Sequence, residues 1–478
     1  MKLIFDVSDK PKAGQLVVFA LQQMLAILAA TIAVPLIIGN GLTPAAAMFG
    51  AGVGTIVYIL FTKRKSPVFL GSSFAFLGSM AAAFAGGVSM QLGMLGLIIG
   101  ALLAGLVYVV IAIVVKFVGV GWLNKLMPAV VIGPTVAIIG LSLAGNAIGD
   151  LLKGDVTKQV TEYVVSTDSG TPEIIETVSN VPVGSSYVAL VCGLITLAVV
   201  MLCSAYGKKT LRLIPFIIGI LAGYAAAAIF TVIGNICDID ALKIVDLSVF
   251  SSYMLTDGSI SLKTFVSLPD FSFVSGMKGL KEFDFSYFAT IFVAYVPVAL
   301  VVFAEHVADH KNLSSIIDHD LLEEPGLTRT LLGDGVGSIA GALFGGCPNT
   351  TYGESVACVA ITGNASVITI FAAAIGCMLF SFITPLVAFV DSIPACVMGG
   401  VCIALYGFIA VSGLKMIQDV NLDDNRNLFV VSVILIAGIG GLTLTFGDIT
   451  LTEVAAALIL GILTNVMLSK KKGNADKK

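Results

Sequence analysis

Charge is what this sequence has least of. Only 12% of its 478 residues are Asp, Glu, Lys or Arg and 57% are hydrophobic, whereas soluble domains carry about 25% charge. The composition excludes an ordinary soluble globular domain and indicates a polytopic membrane protein with the lipid bilayer as its solvent. A basic excess is missing too. The net charge is -4 and the Lys and Arg residues collect in loops, so nucleic acid is not an expected partner. The eight cysteines form no C-x-x-C and mostly lie inside apolar runs, which leaves them as small hydrophobes. The H-E-x-x-H order of an intramembrane metalloprotease is likewise absent. His306 and His310 are four apart with Asp309 adjacent, but Glu305 precedes the first His and no third ligand follows at an obvious spacing. No metal and no cofactor are expected. His319 and the run Asp318 to Glu324 read as a solvated loop. The N-terminus is polar and leads into an uncharged run too long for a signal-peptide core, so no cleaved signal is expected.

What is present is a succession of charge-free runs about 20 residues long, each enough for a spanning helix at 1.5 Å per residue. They fall near 13–39, 44–62, 67–86, 91–115, 127–149, 187–204, 213–236, 285–307, 329–346, 347–363, 365–390, 393–413, 427–446 and 450–468. That count is fourteen. With the N-terminus cytoplasmic, the inner loops take 20 of the 26 basic residues, including Lys2, Lys63 to Lys65, Lys116, Lys125, Lys208, Lys209 and Lys470 onward. The other six lie in two long outer loops, about 150–186 and 237–284, where the positive-inside rule is weak. Both termini are then cytoplasmic in a multi-pass cell-membrane protein. The first long loop is rich in Thr, Ser and Val, and its sequence fits a hairpin or a mobile segment equally.

Two short matches repeat at offsets of 266 and 278 residues. Met127-Pro-Ala-Val-Val-Ile-Gly133 resembles Ile393-Pro-Ala-Cys-Val-Met-Gly399, and Ser72-Ser73-Phe74 echoes Thr350-Thr351-Tyr352. Both offsets equal seven segments. Seven is odd, so the second half enters the membrane upside down, the inverted-repeat plan in which interrupted segments meet near the midplane around a substrate. The expected fold is therefore an all-α polytopic membrane protein of fourteen segments in two inverted seven-segment repeats.

The second of those matches holds the most unusual residue. Between Asp334 and Asp391 the one residue of the Asp, Glu, Lys, Arg and His types is Glu354. A charge at mid-bilayer costs roughly 2.5 to 3.5 kcal/mol on translocon scales, so an intramembrane carboxylate is by default a candidate functional group. Pro348, Asn349, Thr350, Thr351 and Gly353 precede or abut it and are poor helix formers. The sequence predicts a broken element, extended to about Tyr352 and helical from about Gly353.

P-N-T-T-Y-G-E with the following A-I-T, A-E-H-V-A-D at 304–309, L-G-S-S-F-A-F at 70–76 and E-P-G-L at 324–327 together resemble the nucleobase–ascorbate transporter family, most nearly its uracil branch, over almost the whole chain. The resemblance implies a core domain of segments 1 to 4 and 8 to 11 (13–117 and 285–390) and a gate domain of segments 5 to 7 and 12 to 14 (127–236 and 393–468). It also implies short strands in segments 3 and 10 flanking a nucleobase. By motif position, Phe74 stacks on the ring, Glu305 and Glu354 bind its polar edge, and backbone near Ala30, Tyr352 and Gly353 assists. The chemistry agrees, because a pyrimidine dione needs an aromatic face, acceptors for its N–H groups and donors for its carbonyls. The expected activity is proton symport of uracil by alternating access, with no enzymatic step. A purine permease of the same family, or a facilitative channel or anion exchanger on a related fold, is the alternative, and a homodimer is left open. This chain departs from the pattern associated with the uracil branch at Asp309, where a His is expected. Glu305 and Asp309 are four apart and share a helical face, so the coupled proton is expected on Glu305 or Asp309.

Overall fold

The computed structural model describes residues 3–119, 128–166, 173–208, 211–212, 214–254, 259–418, 420–446 and 449–469. Lys2, Lys125, Lys209, Lys470 onward, Met127 of the first repeat and the middle of the first long loop lie outside them. In chain order the helices are α1 (Ala13–Ile38), α2 (Pro44–Phe61), α3 (Leu77–Ala83), α4 (Met90–Val118), α5 (Ala129–Ser142), α6 (Ala144–Leu151), α7 (Ser186–Tyr206), α8 (Pro215–Cys237) and the short α9 (Ser248–Met254) and α10 (Ser272–Gly279). There follow α11 (Phe285–Ile317), α12 (Leu327–Gly345), α13 (Gly353–Thr362), α14 (Val367–Phe380), α15 (Thr384–Asp391), α16 (Ala395–Met416), α17 (Asn425–Ile439) and α18 (Glu453–Ser469). Among the described residues, eight helices are long and apolar enough to cross a membrane, and shorter apolar helices occur at Phe74–Gly87, Gly353–Thr362, Val367–Phe380, Asn425–Ile439 and Glu453–Ser469.

The chain divides into two compact units. The first comprises Met1–Leu143, Leu262–Val387 and Leu405–Lys478, the second Ala144–Ser261 and Ala388–Ala404.

In the first unit, α2 and α12 approach until backbone meets backbone. A Cβ on Gly54 would stand 2.7 Å from the Gly337 carbonyl, and one on Gly50 would collide with the Gly341 carbonyl. Gly50 and Gly54 on α2, and Gly337, Gly341 and Gly345 on α12, sit four apart. This is how small residues hold helices together in lipid, where apolar side chains gain nothing by leaving hydrocarbon. That close pair supports two short strands, β1 (Leu70–Ser72) and β4 (Asn349–Thr351), which are antiparallel with Leu70 opposite Thr351, Gly71 opposite Thr350 and Ser72 opposite Asn349. The chain is extended there and turns helical at Phe74 and at Gly353.

In the second unit the first long loop forms a hairpin, β2 (Thr157–Ser166) antiparallel to β3 (Glu173–Pro182). Residues 153–155 cap the start of α16. The Lys153 carbonyl accepts from the Cys396 N–H at 3.1 Å, and Asp155 Oδ1 accepts from the Ala395 N–H at 3.1 Å. Helix α16 needs this help, because its first N–H groups have no partner of their own.

Three segment ends differ from those expected. Helix α11 runs to Ile317 and not to 307, because the polar residues after Ala304 find partners inside the fold. Segment 13 stops being helical at Ile439, where Gly440 and Gly441 follow, Gly441 having φ 69°. A β-branched stretch then forms the ladder β5 (Leu444–Phe446) with β6 (Ile449–Leu451). The run 365–390 is two helices, α14 and α15, separated by a turn at Ser381 to Ile383.

Candidate functional site

Buried hydrogen bonds fix the two breaks. Leu70 both donates to and accepts from the Thr55 hydroxyl of α2, its N–H at 2.9 Å and its carbonyl at 3.2 Å. Asn349 donates through its side chain to the Gly50 carbonyl at 3.0 Å and through its backbone to Ser338 Oγ at 3.0 Å. Ser355, in the first turn of α13, accepts from the Phe69 N–H at 2.9 Å and from the Gln23 amide of α1. The Tyr352 hydroxyl donates to the Ser72 carbonyl at 2.8 Å, and its ring lies so close to Gly71 that no side chain fits there. Irregular backbone inside a membrane protein has to be satisfied by other protein groups or by a polar cavity. Here these side chains satisfy it.

Around the paired strands stand the residues that sequence singled out. Phe74 opens the helical turn after β1, is 8% exposed, and meets the Tyr406 ring edge-on at 5.9 Å. Ala30 lies in the second half of α1, 1% exposed, five residues before Pro35. Tyr352 lies between β4 and α13 and is buried, while Gly353 is exposed and Glu354 partly so at the start of α13. Glu305 and Asp309 lie on α11, well before its end at Ile317. The carboxyls of Glu305, Asp309 and Glu354 are within electrostatic reach of one another. Thus one helix and two broken segments bring Phe74, Tyr352, Gly353, Glu354, Glu305 and Asp309 into the same unit.

The neighbouring polar residues were not legible as partners. On α11, His306 pairs through Nδ1 with Asp334 Oδ2 of α12 at 2.7 Å and through Nε2 with the Thr330 hydroxyl at 3.0 Å. His310 donates from Nδ1 to the His306 carbonyl at 2.7 Å, and its Nε2 meets the Tyr58 hydroxyl at 2.6 Å. Both imidazoles are therefore occupied in helix-to-helix hydrogen bonds, and among the described residues no group of three or more His, Cys, Asp or Glu is arranged to hold a metal. The spacing of His306 and His310 did mark one face of α11 as polar. Only the fold supplied Asp334, Thr330 and Tyr58. At the surface, Lys65 pairs with Glu324.

The profile described as Permease family matches residues 14–179 and 171–446. The chain belongs to the nucleobase–ascorbate transporter family of permeases. This permease is a multi-pass membrane protein and a transporter, not an enzyme. It is 36% identical to the uracil permease of Bacillus caldolyticus over 99% of this chain and 97% of that one. It is 34% identical to the uracil permease of Bacillus subtilis (strain 168), over 98% and 96%, and 33% identical to that of Escherichia coli (strain K12), over 95% and 92%. Among solved structures, the transmembrane domain of a cyanobacterium bicarbonate transporter, BicA, shares the permease's fold with a TM-score of 0.60 at 13% identity, covering 96% of this chain and 100% of that one. The murine anion transporter Slc26a9 in its inward-facing state also has a TM-score of 0.60, at 11% identity, over 97% and 69%.

Proposed function

We propose that this permease imports a nucleobase, uracil in preference to other bases, by proton symport through alternating access. The observation that carries the reading is the antiparallel pairing of β1 with β4, which brings two broken segments together beside the acidic face of α11. In this reading Phe74 stacks on the ring. Glu305 and Glu354 accept from its N–H groups, and backbone near Ala30, Tyr352 and Gly353 completes the hydrogen bonding. Glu305 and Asp309 carry the proton. The identity to proteins named uracil permease over nearly their whole length supports the choice of base.

The same reading has fourteen spans in two inverted seven-segment repeats with both termini cytoplasmic. Strands β1 and β4 stand at equivalent places in the two halves, and Pro128 and Pro394 each immediately precede a helix, α5 and α16. Segments 1 to 4 and 8 to 11 form the core domain, and segments 5 to 7 and 12 to 14 the gate.

The test is uptake of labelled uracil into proteoliposomes with an imposed pH gradient. Accumulation above the external concentration, abolished by a protonophore, is expected. Simple equilibration makes the protein a channel, and preference for xanthine or urate in a competition panel moves it to the purine branch.

A further inference from the structure

The bond that joins the acidic helix to the broken segment comes from a residue with no assigned role. Thr351, the last residue of β4, donates its hydroxyl to Asp309 Oδ2 at 3.0 Å. Its backbone is held in the ladder opposite Leu70, and the residue is 2% exposed. The other carboxyl oxygen, Oδ1, faces Gly353, where a Cβ would stand 3.9 Å away. One carboxyl thus spans from the end of β4 to the first residue of α13. The groups on other sides of it are acidic or neutral: Glu305 on its own helix, Glu354 on α13, Asp334 on α12 and the Tyr58 phenol on α2. Lys311 is exposed, and His310 turns away to Tyr58 and to the His306 carbonyl.

Resting on the transport reading above, we infer that Thr351 is a positioning residue for the coupling proton: its hydroxyl steadies the charged form of Asp309 and ties α11 to the strand that leads into Tyr352, Gly353 and Glu354. A hydroxyl bound to a carboxylate is held roughly twice as strongly as one bound to a neutral acid. Protonation of Asp309 therefore loosens the tie between α11 and β4, and loss of the proton restores it. A proton on α11 is in this way felt at the segment that holds the base.

The experiment compares Thr351→Val, Thr351→Ser and the parent in proteoliposome uracil uptake as a function of external pH. Valine keeps the shape, and the ladder uses only the backbone of residue 351. Without the hydroxyl, Asp309 takes up its proton at higher pH, so the alkaline limb of the uptake profile should move up by about one pH unit. Serine should restore the parent profile. Where valine compromises folding, Thr351→Cys, whose thiol is a weak donor, should give a smaller shift in the same direction. With Asn at 309, where uphill uptake is largely lost, exchange of labelled uracil at equal concentrations on both sides is the readout, and the Thr351 substitutions should leave its pH dependence unmoved. A Thr351→Val uptake profile superimposable on the parent's, or a Thr351→Val shift in the exchange profile with Asn at 309, overturns the inference while leaving proton-driven uracil uptake by the parent intact. Absence of pH-dependent uptake by the parent overturns the transport reading itself.

Discussion

Replacing Asp155 with Asn should make the protein more stable at neutral pH, although it removes a charge from the capping loop of α16. Asp155 is pushed up to about 6 from an ordinary 3.8, chiefly by burial. The Ala395 N–H opposes the rise, and the charges of Asp246 and Asp150 add to it. A folded-state value above the unfolded one means that the folded form holds the proton more tightly. The associated stability is fully present below about pH 3.8, declines between there and pH 6, and is gone above it. A displacement of about two units corresponds to about 3 kcal/mol, an upper figure for a carboxyl that is not wholly shielded from water. Asparagine keeps an oxygen for the Ala395 N–H and never ionises. Asp155→Asn should therefore exceed the parent by about 1 to 3 kcal/mol at pH 7.5, and the gap should close near pH 4. Denaturant unfolding of the detergent-purified proteins at a series of pH values measures it. A gap independent of pH, or a less stable variant at pH 7.5, would refute the reasoning.

Four further outcomes are expected. Glu354→Gln replaces an acceptor by a donor facing the ring N–H groups, at a cost of about 1 to 3 kcal/mol, so uracil affinity by calorimetry should fall at least about tenfold in a folded protein; unchanged binding would remove Glu354 from the site. Phe74→Ala should weaken binding by about 1 to 3 kcal/mol and Phe74→Tyr by less, whereas parental affinity in both would make the ring packing for Tyr406 alone. Asp309→Asn should lose most uphill, proton-driven uptake while equilibrium uracil binding stays within about threefold, and normal pH-dependent accumulation would move the coupling role to Glu305. Gly341→Ala places a methyl against the Asn349 side-chain amide, an overpacking that costs about 1 to 3 kcal/mol; it should lower the unfolding midpoint, and an unchanged midpoint would mean that the Asn349 side chain is free to move aside.

The sequence alone determined the class of the molecule and the location of its break. Scarcity of charge forces the chain into lipid, and the helix-poor run Pro348 to Gly353 beside a lone carboxylate marks where the backbone leaves the helix. Each is a property of a short stretch and of its solvent, which is why composition and local propensity suffice. The family motifs pointed to Phe74, Glu305 and Glu354 without saying what surrounds them. The partners were decided by tertiary structure. Thr351 meets Asp309 from 42 positions away, Asp334 meets His306 from 28, and Tyr58 meets His310 from 252. Nothing local encodes those distances. Spacing placed His306 and His310 on one face of α11, but whether such a face binds a metal or clamps a neighbouring helix depends on what the glycine contacts between α2 and α12 bring up beside it. The backbone separation that permits that approach is fixed only once both helices are packed.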